Sequence, residues 1–463
     1  METERADDSS APRPALPVRL LQSLTRLFVG LARRYMPDPF LFALLLTFVA
    51  LILARTLTPS GTVQLAGFWY EGLWKVLTFA MQMILILLTG YALALSRPVR
   101  RALGWVASRP RTPGQAVVLV VLAGMLSSLI NWGFGLVIAA LLAREVGRRV
   151  PVDFAYLVAG AYSGFVVWGS GLSGSILLVS ATEGSPMNII ASYTGRAVTP
   201  VRETLLAPFN LALVAGMLVL LPVLFRAIAP APERARPFRE GEAGGEPALS
   251  EAPHDGTPAA RLENHPLPVV LLALLGGTYL VAHFYQRGFD LNLNVLILLF
   301  LVAGLLAHGR PIAYVRAFNE AAKVSGPLVL QYPLYGGIMG IIVDSGLAAS
   351  ISNAFVEIST ARTLPVWTYL SAALINMFVP SGGGQWVVQG PVMIPASLKL
   401  GVDPAVTAMA VAFGDQTTNM LQPFWALPAL AIAGLGIRDV MGYCVMTCLL
   451  SGALSILVLL LLA

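Results

Sequence analysis

The sequence predicts an all-α polytopic membrane protein built from two inverted repeats, each with a re-entrant helical hairpin and a broken transmembrane helix. Three observations lead there. Of 463 residues, 57% are hydrophobic and only 12% charged, against roughly 25% charged in a soluble chain. Long apolar runs recur, among them Phe40–Leu57, Val76–Leu95, Leu205–Leu224 and Val440–Ala463; about 18 such residues read as a membrane span, whereas a transmembrane barrel would show short alternating segments. Finally, landmarks in the first half return in the second at offsets from 245 to 252 residues.

Residues 1–36 read as a cytoplasmic tail and an amphipathic interfacial helix. The opening METERADDSSAPRP is acidic and contains proline, unlike a secretory signal. In LPVRLLQSLTRLFVGLARRY, Arg19, Arg26, Arg33 and Arg34 alternate with Leu and Phe at helical spacing, as in a helix lying on the inner surface; an ordinary cytoplasmic helix is the other reading. The first repeat is assigned to 37–226. Residues 58–73 lack Lys and Arg and are expected as an outer loop, after which a span returns to Arg97, Arg100, Arg101, Arg109 and Arg111 on the cytoplasmic side. NWGFG (131–135) then interrupts an apolar stretch that is followed by Arg144, Arg148 and Arg149. A single crossing would put three arginines outside, so a hairpin at about 114–143, open to the cytoplasm, is expected. The span from Asp153 to Ser180 is broken by YSGFVVWGSGLSGS, and 205–225 returns inward. Residues 227–265 are rich in Pro, Gly, Ala and charge and read as a disordered cytoplasmic linker. A linking span at 266–285 leaves the second repeat, 286–463, inverted, with its hairpin at about 365–398 open to the outside. Nine spans and two hairpins result. The basic loops account for the net charge of +6, which gives no reason to expect nucleic acid as a partner. Cys444 and Cys448, four apart, read as small apolar residues.

The repeat rests on ordered pairs. DPFLFALLLTFVA from Asp38 matches DLNLNVLILLFLVA from Asp290, and Glu71 and Lys75 match Glu320 and Lys323. Asn131 matches Asn376, and Asp153 matches Asp403, each aspartate eleven residues ahead of a glycine expected at a break, Gly164 or Gly414. Inverted repeats with paired broken helices mark a secondary transporter. Irregular backbone at membrane depth is tolerated only where protein or a water-filled cavity satisfies it, so the breaks are the candidate site. At VPSGGGQWVVQGP (379–391) the glycines admit close backbone approach, and helix ends there offer positive N-termini to an anion. A glycine-lined helix crossing is the bland alternative.

The substrate-binding candidates are Asn131, Trp132 and Gly133 at the first tip, and Ser163, Trp168 and Ser173 at the first broken helix. Ser381, Gly382, Gly383, Gly384 and Gln385 at the second tip and Thr418 and Asn419 at the second broken helix complete the set. Asn131, Asn376, Asp415 and Thr417 are the ion-coupling candidates, with Na⁺ expected at Asn376, Asp415 and Thr417. Asp415 is the one acid deep in an expected span, and an intramembrane carboxylate is costly. It could hold Na⁺ among oxygen ligands, carry a proton, or cap the second half of its helix. No cofactor besides the coupling ion is expected. Trp132, Trp168, Trp386 and Trp425 flank the breaks and serve either as pocket walls or as packing. No Arg or Lys lies at a break, which favours a monocarboxylate over a multiply charged anion.

At INWGFGLVIAALLARE, AYSGFVVWGSGLSGSI, YPLYGGIMGI, VPSGGGQWVVQGP and GDQTTNMLQPFWALP the chain resembles the bacterial short-chain fatty acid transporter family, in the ion transporter superfamily. The resemblance covers nearly the whole chain apart from the tail and linker. It implies cation-coupled import of short monocarboxylates such as butyrate or acetoacetate. It also implies a scaffold and a moving transport domain working as an elevator, a homodimer, and a multi-pass place in the bacterial inner membrane with the amino terminus cytoplasmic. Superfamily relatives often carry Ser-Asn-Thr at the hairpin tips, where this chain has INWGFG and PSGGGQ, so their sodium geometry is not transferred. Two other classes compete. A facilitator or channel would use the breaks as a filter. An intramembrane enzyme has little to work with, since His254, His265, His283 and His308 lie in the linker or at span ends.

Overall fold

The computed structural model describes residues 16–185, 187–231, 233, 235–238, 257–288, 292–323 and 325–463. Among them there is no strand. Apart from two hairpins and four short helices (97–107, 189–194, 258–264 and 347–357), the chain from 39 to 462 forms nine long helical rods. Eight helices are long and apolar enough to cross a membrane, one of them the first arm of the first hairpin, and the shorter Asn294–His308 is equally apolar in character.

The repeat is visible helix by helix. Thr62–Lys75 and Leu77–Ala94 return as Pro311–Ala322 and Gly326–Asp344, both at an offset of 249. The two halves exchange partners: Pro39–Leu57 packs on Gly326–Asp344, while Leu293–His308 packs on Leu77–Ala94. Thr62–Lys75 also packs on Gly326–Asp344. Small residues make this approach possible. A Cβ on Gly336 would lie 2.5 Å from the Gly72 carbonyl oxygen, and one on Gly72 would run into Gly336. This contact corrects the expected outer loop at 58–73, since residues 62–75 are helical and locked to the other repeat. The sequence of that segment mixes Gly, Trp, Glu and Lys, and only the partner helix reveals why it folds.

Both hairpins form. The first joins Pro113–Ile130 to Trp132–Gly147 through Asn131. Its arms run antiparallel: a Cβ on Gly135 would strike Ser128, and one on Gly124 would lie 3.4 Å from Ala139 Cβ. The second joins Leu364–Asn376 to Gly382–Leu400. Gln385 Nε2 donates to the Ala372 carbonyl (2.8 Å) and Gln389 Nε2 to Ser371 Oγ (3.0 Å) across it. Both broken helices form too. Phe154–Ser163 passes into a 3₁₀ segment, Gly164–Ser170, and resumes at Ser175–Ser180; Pro404–Thr418 breaks and resumes at Ala426–Ala433.

Asp153 and Asp403 are equivalent helix caps, accepting from Tyr156 N and Ala405 N, each at 2.8 Å. Gly164 stands at its break, as expected, where the α-helix gives way to the 3₁₀ segment, whereas Gly414 lies within a regular helix, four residues before its end; both also have a second role. Each lets a broken helix press on the first arm of its own hairpin. A Cβ on Gly164 would lie 2.6 Å from Met125 N, and one on Gly414 2.5 Å from the Tyr369 carbonyl oxygen.

The inversion can be read from contacts. Phe154 N donates to the Arg236 carbonyl and Arg236 N to Asp153 Oδ2, so the first broken helix starts where the linker starts. Arg144, at the open end of the first hairpin, donates to the Ile432 carbonyl, where the second broken helix finishes. The far end of the first broken helix instead meets the second hairpin, with Trp386 Nε1 donating to the Met187 carbonyl at 3.2 Å.

The hairpins and broken helices form the middle of the molecule: 78% of the apolar window of Phe154–Ser180 is buried, against 17% for Leu267–Arg287 and 22% for Pro39–Leu57. Leu16–Tyr35 lies along the last rod, where a Cβ on Gly442 would run into Val29. Leu20, Leu24, Leu27 and Leu31 remain exposed, an apolar stripe of the kind that enters a membrane interface. Two parts of the stretch 227–265 make defined structure. Phe238 packs on Phe154 at 4.9 Å between ring centres, and Pro258–Asn264 is a helix. Residues 1–15, 239–256 and the repeat landmark Asp290 lie outside the described residues.

Candidate functional site

The four breaks meet. Where the broken helices cross, Ser170 Oγ donates to Gln416 Oε1 (3.2 Å) and Tyr162 Oη to the Asn419 carbonyl (2.8 Å). Trp132 of the first tip meets Trp425 of the second break edge-on at 5.1 Å and Trp168 of the first break at 6.5 Å. Phe165 stacks on Trp168 at 5.8 Å. Aromatic rings thus surround the crossing, and an electrostatic interaction is stronger in such a low-dielectric setting than in water.

The two tips differ in one chemical respect. A helix starts with N–H groups that have no partner inside it. At the first tip those donors are taken: Asn131 Oδ1 accepts from Gly133 N (3.0 Å) and Phe134 N (3.1 Å), and Trp132 N donates to Ser173 Oγ (2.9 Å). Gly133 packs against Ile86, which a Cβ there would strike. At the second tip Ser381 satisfies Gly384 N through its hydroxyl (3.3 Å) and Gln385 N through its carbonyl (2.7 Å). Gly382 N and Gly383 N have no acceptor among the described residues. Two N–H groups left over at a helix start have the geometry that suits an anion. Gly382 has little room for a side chain: a Cβ there would sit 2.6 Å from Asp415 Oδ2 and 2.9 Å from the Trp168 ring, whereas one on Gly383 would meet only the movable end of Met187, 3.0 Å from its Cε.

Asp415 therefore lies against the donor-rich tip. It is 1% exposed, and neither carboxylate oxygen has a hydrogen-bond partner among the described residues. It stands inside Pro404–Thr418 rather than at the start of Ala426–Ala433, so it caps nothing. Asp153, also buried, uses both oxygens on backbone N–H groups. Beside Asp415, Asn376 Nδ2 donates to the Asp415 carbonyl, Thr418 Oγ1 and Asn419 Oδ1 at 2.8–3.0 Å. Gln422 Nε2 donates to Asn419 Oδ1 (2.9 Å). Asn376 Oδ1 and Gln422 Oε1 are left buried without a donor among the described residues. Asp415 and Thr418 lie on one face of the helix, and Asn419 and Gln422 follow it in the break. Thr417 faces elsewhere: its methyl group lies on the side of Gly452 and Tyr369, 3.8 Å from where a Gly452 Cβ would be.

The other candidates are placed as follows. Ser163 Oγ accepts from Thr447 Oγ1 (2.8 Å), joining the first broken helix to the last rod. Gln385 turns into its own hairpin, donating to Gln389 Oε1 as well as to Ala372. Trp386 is fully buried against the segment after the first broken helix. Met187, which flanks the glycine tip, carries no motif that sequence reasoning could have used; Met339 and Gln422 lie within YPLYGGIMGI and GDQTTNMLQPFWALP, but nothing in those motifs shows that they face the tip or Asp415.

Two inverted hairpins and two broken helices converging on a buried carboxylate define a membrane transporter, not an enzyme. The short chain fatty acid transporter family matches residues 20–462. The chain belongs to that family. A protein of Escherichia coli strain K12 is 42% identical over 446 residues, covering 94% of this chain and 99% of its own. One of Haemophilus influenzae is 40% identical over 429 residues, covering 92% and 96%. Each is provisionally named a short-chain fatty acid transporter. A solved structure of the Alcanivorax borkumensis YdaH transporter aligns with 91% of this chain and 98% of its own at 17% identity, with a TM-score of 0.44.

Proposed function

We propose that the protein imports short-chain monocarboxylates across a bacterial inner membrane by cation-coupled symport. The observation that carries this reading is the adjacency of the two spare donors at the second tip, Gly382 N and Gly383 N, to the unpartnered carboxylate of Asp415. A substrate anion fits the donors. A bare buried carboxylate costs several kcal/mol, so Asp415 takes up either a cation or a proton before an anion can sit beside it. Coupling follows, because the positive charge supplied to Asp415 favours the substrate, and the substrate favours the cation.

The donor set supports Na⁺. Asp415, Asn376 Oδ1 and Gln422 Oε1 are oxygens without a donor, suited to a hard cation, and they replace the expected set that included Thr417. The tips and broken helices would move together past the kinked helices 62–94 and 311–344 as an elevator, in a homodimer with a cytoplasmic amino terminus. The test is uptake of labelled butyrate into proteoliposomes with Na⁺ and pH gradients imposed separately. Asp415→Asn should lose ion-driven accumulation at least tenfold while retaining some exchange. Full ion dependence in that variant would remove Asp415 from coupling. Downhill flux in the wild type with no response to either gradient would establish an uncoupled facilitator instead.

A further inference from the structure

The first hairpin has a second concave surface at its open end, about 25 Å along its arm from the tip at Asn131. An open groove of about 610 Å³ runs there between the short helix Arg97–Ala107 and the end of Trp132–Gly147. Arg100 and Arg101 line it from one side, Arg148 and Arg149 from the other, and Glu145 is its one carboxylate among the described residues. Four guanidinium groups against one carboxylate leave a surplus of three positive charges.

A preference for arginine on the cytoplasmic side accounts for basic residues at this end, but not for their arrangement. Spread over loops they would be hydrated singly. Here two elements bring them to one groove, where like charges repel. Glu145 relieves this only in part, because it already accepts from Arg148 Nη1 at 2.9 Å. Packing holds the cations in place. A Cβ on Gly104 would lie 2.8 Å from Arg149 Nη2, so that glycine gives the Arg149 guanidinium a seat against helix 97–107. The Arg148 side chain is 18% exposed, and its guanidinium carbon lies 5.7 Å from the centre of the Phe238 ring. Guanidinium groups positioned in this way match phosphate oxygens, which they bind in pairs.

Trp105 points to the source of the phosphate. It lines the same groove and is 63% exposed, and the Arg109 guanidinium carbon lies 4.0 Å from its ring centre. Exposed tryptophan beside cations is typical of the membrane–water interface, and basic pockets between helices on the arginine-rich side take lipid headgroups. At about 30 Å³ per water-sized group the groove has room for about twenty, enough for a phosphoglycerol headgroup. We propose that this groove binds the phosphate of an anionic phospholipid from the adjoining leaflet. The lipid then ties helix 97–107, which leads from the kinked helix 77–94, to the open end of the first hairpin. Neither the substrate nor the coupling ion enters this inference.

The experiment is thermal melting of the full chain in a neutral detergent with phosphatidylglycerol, phosphatidylcholine or inorganic phosphate added. Phosphatidylglycerol should raise the melting temperature by about 3 °C or more, and the other two should not. Arg101→Gln together with Arg149→Gln should abolish that shift, and Arg101→Gln alone, at an exposed side chain, should at least halve it. Arg26→Gln together with Arg33→Gln removes the same charge from the amino-terminal helix, beside Asp153, and should keep the shift. Equal loss in the two pairs would reduce the effect to general surface charge and overturn the site. An equal shift with inorganic phosphate would make the ligand a soluble anion and overturn the lipid. So would a shift seen only after Glu240, Glu242, Glu246 and Glu251 are all changed to Gln, because the acidic segment would then be the groove's occupant in the intact chain.

Discussion

Glycines in this chain do two separable jobs. In the function we propose, Gly382 and Gly383 keep the substrate-facing surface open, whereas Gly164 and Gly414 let helices touch through their backbones. Different substitutions should separate the two. Gly383→Val should abolish uptake while detergent-solubilised protein melts within a few degrees of wild type, because the added groups meet only the movable end of Met187, whereas Gly382→Ala should abolish uptake and also lower the melting temperature, because its methyl group meets the Trp168 ring and Asp415. Normal uptake by either variant would mean that the glycines serve packing alone. Gly414→Ala should instead lower stability by about 1–3 kcal/mol through overpacking, visible as a lower melting temperature, because the Tyr369 carbonyl and Ala373 amide cannot move aside. Gly30→Ala, with nothing within 4 Å of its Cβ position, should be neutral or slightly stabilising.

At the scale of elements, the inverted repeat rests on which membrane face each hairpin opens to. Arg100, Arg101, Arg148 and Arg149 line one groove, and the linker starts at the same end, through Arg236 on Asp153. Such an arginine-rich end is expected on the cytoplasmic side. Cysteine at Arg148 and at positions in 230–264 should therefore resist a membrane-impermeant thiol reagent in intact cells and react after permeabilisation. Labelling of Arg148→Cys from outside would break the topology, and with it the inverted relation of the two halves.

The molecule as a whole divides into a central group of tips and broken helices and the kinked helices around it, and an elevator requires the two to slide. Gly90 on a kinked helix faces Val137 on the first hairpin, its Cβ position 3.0 Å from Val137 Cγ1. A Gly90→Cys, Val137→Cys pair, in a background with Cys444 and Cys448 replaced by Ala, is within reach of a disulfide. Oxidation should stop uptake and reduction should restore it. Undiminished uptake by fully cross-linked protein would show that transport proceeds without that movement.

The sequence by itself determined the helical membrane class, both hairpins, both breaks and the repeat, because these depend on local chemistry. Apolar runs of membrane length, arginines at both ends of NWGFG, and glycines where no helix can continue all act within a few residues of one another. The family was legible for the same reason, in the motifs at the tips. Tertiary structure alone decided that 62–75 is a helix, that Gly414 packs rather than breaks, and that Thr417 faces away from Asn376. It also decided that the first tip spends its donors on Asn131 and Ser173 while the second keeps two free. Each of these depends on what another part of the chain, tens to hundreds of residues away, places opposite a given atom, and a hydrogen-bond partner or a colliding carbonyl leaves no periodicity in the sequence to read.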